Sequence, residues 1–415
     1  MSTPPEETPQ ASVSAPAPMF DRRVVALGVA RMADAVGNSF LIIVLPLFIV
    51  ERSVNGFGFG PEAFTGLVLG VFGVVNSATQ PFAGRLSDRT GQRKALVIGG
   101  LVLLACANAA LAFVEDAGWL LVIRALQGFS AAFTITSSVA MVNEFSTRAQ
   151  RGRNMGTYNG FRLLGFGVGP IAAGLLIEGG PYPINGVLLT GFDMAFAVAT
   201  ASAVLGAVLV VALVERSPAK TATAVRRQVG GWSFPRSVWI LGVATLTLSC
   251  CIALLASLEA TVNTRLQQGA FMFSIQFTTL IAMLTVFQPV VGRLSDTYGR
   301  RPFVLWGLIA LIPTTIGQGL VETSAQLILA RALQGIAGAA VFSPALALAG
   351  DLAEEGRSGV TLSVLTMSFG LGIAFGQFLS GFLGSYAFWL PFAVGGGMAT
   401  VAAALTALFV QEPAE

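Results

Sequence analysis

The 415-residue chain has no histidine, three cysteines, and charged residues at only 11% of its positions. Each shortage excludes something. Without histidine, the commonest metal ligand and the usual proton shuttle near neutral pH are both missing, so any proton coupling must run through carboxylates. Cys106, Cys250 and Cys251 all lie in apolar runs, which gives no disulfide framework. Globular chains carry roughly 25% charged residues. A chain with 11% cannot cover a water-facing surface, so the lipid bilayer is its expected solvent. The net charge of +3 gives no reason to expect a nucleic-acid partner. No nucleophile, metal or cofactor constellation stands out, so neither an enzyme, a metal site nor a cofactor is expected.

What the chain has instead is apolar length: 54% of it is hydrophobic. Apolar runs fall near 24–50, 63–83, 94–114, 119–143, 155–177 and 190–214, and resume near 237–261, 271–291, 302–321, 325–349, 359–382 and 387–410. Each is long enough to cross a hydrocarbon core of ~30 Å as a helix. The 48 glycines suit close helix packing in lipid. The expected fold is an all-α membrane protein with twelve transmembrane helices in two six-helix bundles. Its parts are a tail at 1–21, a first bundle at 22–214, a linker at 215–236 and a second bundle at 237–415. The tail is rich in Pro, Ala, Ser and Glu, which reads as disordered, and it lacks a signal-peptide pattern, so it should be retained.

Lys and Arg set the orientation. Of 24 such residues, 18 flank one side: Arg22, Arg23, Arg85, Arg89, Arg93, Lys94, Arg148, Arg151, Arg153, Arg216, Lys220, Arg226, Arg227, Arg236, Arg293, Arg300, Arg301 and Arg357. Only Arg52 and Arg265 flank the other, and Arg31, Arg124, Arg162 and Arg331 lie within spans. Both termini are therefore expected in the cytoplasm, with the protein in the cell membrane.

Two phrases occur twice. The stretch Gly84-Arg-Leu-Ser-Asp88-Arg-Thr-Gly91-Gln-Arg93-Lys94 returns 208 positions later as Gly292-Arg-Leu-Ser-Asp296-Thr-Tyr-Gly299-Arg300-Arg301. Arg124-Ala-Leu-Gln127-Gly128 returns as Arg331-Ala-Leu-Gln334-Gly335, shifted by 207. Two unrelated phrases at nearly one offset mean a duplicated half, and duplicated halves in a hydrophobic chain mark a secondary transporter.

These phrases resemble the major facilitator superfamily, and the resemblance covers nearly the whole chain. The loop after the second span matches the family signature at Gly84, Asp88, Gly91, Arg93 and Lys94, with Gln92 departing from it; the second copy keeps Gly292, Asp296, Gly299, Arg300 and Arg301. The resemblance implies a latch between the two halves at the cytoplasmic surface, and simple charge anchoring is the plainer reading. The fifth span carries Gly156, Gly165, Gly169, Pro170 and Gly174, which resembles the family's antiporter-type motif, with Ala173 in place of one glycine. Generic glycine packing is the alternative. Arg124 and Arg331 resemble the family's Arg-x-x-Gln-Gly motif, which for Arg124 implies a part in proton transfer or else a structural anchor.

The remaining intramembrane charges carry their own expectations. Arg31, Asp34 and Asn38 recur at spacings of three and four, hence on one helix face. An intramembrane carboxylate is a functional candidate by default, so Asp34 is the leading proton carrier; a permanent pair with Arg31 is the alternative. Arg162 is expected either to pair with Asp34 or to face an anionic substrate. Glu259, beside Asn263, is either a proton or cation site or a solvated residue at a helix end. The first functional reading is alternating-access, proton-driven efflux of an amphipathic or drug-like small molecule by a monomer. Uptake or uniport of a small metabolite, with the intramembrane arginines binding an anion, is the second, and a non-transporting sensor or scaffold the third.

Overall fold

The structure, a computed structural model, describes residues 22–52, 56–147, 150–184, 186–214, 235–352 and 358–412. The tail at 1–21 and nearly all of the linker lie outside these residues, as do Arg148, Arg216, Lys220, Arg226, Arg227 and Arg357. The first six spans are α1 (Arg22–Glu51), α2 (Pro61–Thr90), α3 (Arg93–Ala110), α4 (Ala117–Phe145), α5 (Arg151–Glu178) and α6 (Gly191–Leu213). A two-stranded hairpin, β1 (Tyr182–Ile184) and β2 (Val187–Leu189), joins the last two. The seventh span is broken into α7 (Arg236–Ala253) and a short α8 (Glu259–Arg265). Then follow α9 (Ala270–Tyr298), α10 (Arg300–Gln318), α11 (Ser324–Asp351), α12 (Ser358–Gly384) and α13 (Leu390–Phe409).

Among the described residues, eleven helical segments are long and apolar enough to cross a membrane. The twelfth, α10, has the length but opens on Arg300 and Arg301 and carries Pro302, Pro313 and Gln318, which dilute its hydropathy. It still packs as a full column against α11 and α13. The chain is thus an all-α, multi-pass membrane protein. The break in the seventh span was not legible in the sequence, since no glycine or proline lies between Leu254 and Leu258. It coincides with a tertiary contact: the Ser257 hydroxyl turns onto the Gln377 carbonyl of α12 at 3.2 Å.

Each bundle repeats one packing scheme, α1 against α5 and α6, α4 against α2 and α3, then α7 against α12 and α13, α11 against α9 and α10. The bundles meet along two seams, α2 with α12 and α5 with α9. Glycines make the close approaches possible. A Cβ on Gly165 would stand 2.5 Å from the Met32 carbonyl of α1, and one on Gly174 would stand 2.7 Å from Cα of Phe271 in α9. The second bundle repeats this 207 positions on. Gly372 and Gly376 close onto the backbone of Leu246 and Cys250 in α7, and Gly381 closes onto Glu62 and Gly66 in α2.

The apolar core shows how the bundles sit. On the side away from the basic loops, one continuous cluster runs from Phe40, Leu45 and Ile49 of α1 through Phe64 of α2 to Leu254, Leu258, Val262 and Phe273 of the second bundle. On the basic side the core splits in two. One part lies around Val24, Leu27, Val97 and Val210, and the other around Leu241, Leu308, Leu348 and Val410. The bundles are fused at the far side and separate at the basic side.

Candidate functional site

The far-side closure is built from backbone approach and a few polar ties. Thr261 of α8 donates to Glu62 of α2 at 2.9 Å, and the backbone N–H of Phe271 donates to Glu178 of α5 at 2.9 Å. Deeper in, the seams reach Thr278, which donates to the Gly167 carbonyl at 2.9 Å, and Gly370, whose added Cβ would meet the Ser77 hydroxyl. Beyond these levels no hydrogen bond or ion pair joins the bundles among the described residues, and the buried core is divided there into two separate clusters. The space between the bundles is therefore open towards the basic side.

The face of α5 that looks into this opening follows from helix geometry. Its Phe161, Gly165 and Gly169 face α1, Gly167 and Gly174 face α9, and Leu164, Val168 and Leu175 are more than half exposed on the outer surface. At 100° per residue, the one arc left between α1 and α9 carries Asn159, Arg162 and Phe166. Asn159 is exposed and the other two half-buried. Pro170 sits just above and leaves a carbonyl of the preceding turn without its in-helix donor. Hydroxyls from both neighbours attach to that turn, Ser39 to Gly165 at 3.3 Å and Thr278 to Gly167 at 2.9 Å. Of the motif glycines only Gly156 packs on nothing.

Asp34 and Arg31 pair directly with each other, both buried. Asn38, one turn further along the same face, is half-buried. Arg31, Tyr158 and Arg162 lie within electrostatic reach of one another, with Ser138 of α4 near the Tyr158 hydroxyl. No hydrogen bond or ion pair joins Arg162 to Asp34 among the described residues; its recorded neighbour is the Phe166 ring at 5.9 Å. Phe40, Phe273 and Phe277 are packed into the core.

Arg124 and Arg331 are buried and bonded to neutral acceptors, although Nε and Nη2 of Arg331 have no partner among the described residues. Arg124 donates to Gln127 at 2.9 Å and to the Val68 carbonyl at 3.2 Å. Gln127 donates to Asn108 at 2.8 Å, and Asn108 to the Ala199 carbonyl at 3.0 Å. One chain of bonds thereby ties α2, α4, α3 and α6. Arg331 repeats the scheme with Gln334 at 2.8 Å and the Ile252 carbonyl at 3.2 Å.

Glu259 is not a solvated helix end. It is fully buried at the start of α8, and both carboxyl oxygens lack a hydrogen-bond partner among the described residues. Its neighbours Leu258 and Val262 belong to the core shared with α1 and α2.

The basic loops form matching clamps within each bundle. Arg93 reaches Asp88 at 3.1 Å and also pairs with Glu144 at the end of α4. Arg300 reaches Asp296 at 3.1 Å and pairs with Asp351 at the end of α11. Lys94 donates to the Val211 carbonyl at 2.9 Å, as Arg301 does to Ala407 at 2.5 Å. The partners Glu144 and Asp351 were missed in the sequence although they share the 207 offset of Arg124 and Arg331. The structure also locates the slip from 208 to 207. The first loop turns through Gly91 and Gln92, whereas the second turns through Gly299 alone, at φ +93°, a backbone open to glycine. Gln92 is the extra residue, so Arg93 corresponds in space to Arg300.

The family model described as Major Facilitator Superfamily matches residues 27–261 and 241–415. The chain belongs to that superfamily. The superfamily member is 24% identical over 325 residues to a multi-drug resistance efflux pump PmrA homolog of Lactococcus lactis, covering 75% of this chain and 76% of that one. It is 33% identical over 112 residues to Citrate exporter 1 of Aspergillus niger, a match that spans 27% of this chain and only 21% of the exporter. Among solved structures it resembles an inward-facing, occupied bacterial homolog of the human lysosomal transporter Spinster, with TM-score 0.76, 16% identity, and 93% and 95% of the two chains covered. It also resembles the human organic anion transporter MFSD10, with TM-score 0.67, 18% identity, and 94% and 100% covered. The protein is a membrane transporter of this superfamily.

Proposed function

We propose that the protein is an alternating-access antiporter that exports an amphipathic small molecule against inward proton flow, with the basic side facing the cytoplasm. Glu259 carries the proton. The observation behind this reading is its position, a carboxyl without a donor inside the seam that closes the far side. An ionised carboxylate there would be buried unpaired at a cost of several kcal/mol. The nearby charged groups are engaged elsewhere: Glu62 accepts from Thr261, Arg265 donates to the Val321 carbonyl, and Arg52 lies over Phe48. A protonated Glu259 fits the closed far side: its ionised form is favoured while the seam is open to water, it takes a proton from the far side as the seam closes, and inward flow requires that proton to leave towards the basic-side opening. Asp34, held by Arg31, neutralises that arginine and is the secondary candidate. The drug-efflux names among the relatives support export of amphipathic compounds.

The test uses proteoliposomes with an imposed pH gradient and a pH-sensitive dye inside. Lipophilic cations, neutral drugs and organic anions are added in turn to wild type, Glu259→Gln and Asp34→Asn. A compound that dissipates the gradient through wild type but not through Glu259→Gln supports the reading. Tracer flux without proton movement, equal in both, would sink it.

A further inference from the structure

Deep within the spans lie four cations, Arg31, Arg124, Arg162 and Arg331, against two carboxylates, Asp34 and Glu259. Three of the arginines have protein partners, although Nε and Nη2 of Arg331 have none among the described residues. Arg31 has Asp34, and Arg124 and Arg331 are held by glutamines and carbonyls. Arg162 differs: it has no carboxylate partner among the described residues, it stands beside a second guanidinium, and it lies on the α5 arc that faces the opening. It lies 11 residues past Arg151, hence roughly 16 Å along the helix. A guanidinium at that depth, costing roughly 2.5–3.5 kcal/mol on the insertion scale, calls for an anion.

We propose that Arg162 is the recognition point for the carboxylate of a small amphipathic organic acid entering from the basic side. The planar guanidinium matches a carboxylate as a two-pronged donor. With Arg31 neutralised by Asp34, Arg162 leaves this group one net positive charge. Phe166, one turn deeper, offers an aromatic face to the apolar body of the molecule, and Asn159, one turn towards the opening, offers an amide to a polar substituent. This deepens the transport reading by naming the substrate class, and it rests on that reading only for the site's being the transport cavity.

Equilibrium binding in detergent, without any gradient, separates the two. Isothermal titration of the full-length protein would use 4-phenylbutyrate, octanoate and citrate, with 4-phenylbutyramide as the neutral match, a phenylpropyl-trimethylammonium salt as the cationic match, and phosphatidylglycerol as an anionic lipid. At least one acid should bind ten times more tightly than the amide and the ammonium salt. Arg162→Gln should remove that preference while leaving amide binding unchanged, and Arg162→Lys, which keeps the charge, should restore part of it. Both variants are checked for a monodisperse elution profile. Equal binding of acid and amide, binding of no acid, or binding of the lipid alone would overturn the proposal. So would an acid preference that survives in Arg162→Gln. Acid binding without coupled proton movement in the liposomes would leave this site standing and remove the antiport reading.

Discussion

At the scale of single residues, the buried polar groups divide into those that are satisfied and those that are not. Arg124 is satisfied, and its removal leaves Gln127 and Asn108 with broken bonds in the interior. Arg124→Leu should therefore lower stability by about 1–3 kcal/mol for each group left unpaired, read as an earlier thermal transition in detergent. Glu259 is the opposite case. Glu259→Gln keeps the shape and removes the charge, so it should unfold no earlier than wild type in a thermal scan; a transition several degrees lower would show that the carboxylate has a partner after all. Which charges lie within spans was legible in the sequence, because 11% charge leaves few to consider. Their partners were not legible. Whether Arg162 or Arg31 meets Asp34 depends on the rotation of α5 against α1, which close approach at Gly165 and Gly169 sets.

At the scale of elements, the duplicated halves were readable from the repeated phrases, and so were the length and number of spans. The break between α7 and α8 was not, because it follows from a contact with α12 rather than from local residues. The clamps at Arg93 and Arg300 involve well-exposed carboxylates, and such pairs contribute only about 0–1 kcal/mol. Arg93→Ala should leave the thermal transition nearly unmoved, whereas a large drop would mean that the clamp is a fold determinant. The seam glycines behave differently. Gly174 and Gly381 sit where a Cβ meets backbone of the opposite bundle, so Gly174→Val and Gly381→Val should hold the far side apart. A cysteine placed at Thr261 would then become reactive to a membrane-impermeant maleimide added from that side, and continued protection would contradict the seam.

At the scale of the whole molecule, one shared core on the far side and two separate cores on the basic side describe a single state of a two-state machine. The alternative state must divide the shared core and join the other two, with Glu259 moving from a dry seam to water. The tested consequence is a reciprocal pair of distances. In a background with Cys106, Cys250 and Cys251 replaced, spin labels at Leu188 and Gln267 report the far side, and labels at Arg153 and Tyr298 report the basic side. Double electron–electron resonance in lipid nanodiscs would be recorded across a pH series for wild type and Glu259→Gln. In wild type the far-side distance should lengthen and the basic-side distance shorten as pH rises, with Glu259→Gln fixed in the far-side-closed state at every pH. Distances that ignore pH in wild type, or that respond alike in both proteins, would contradict it.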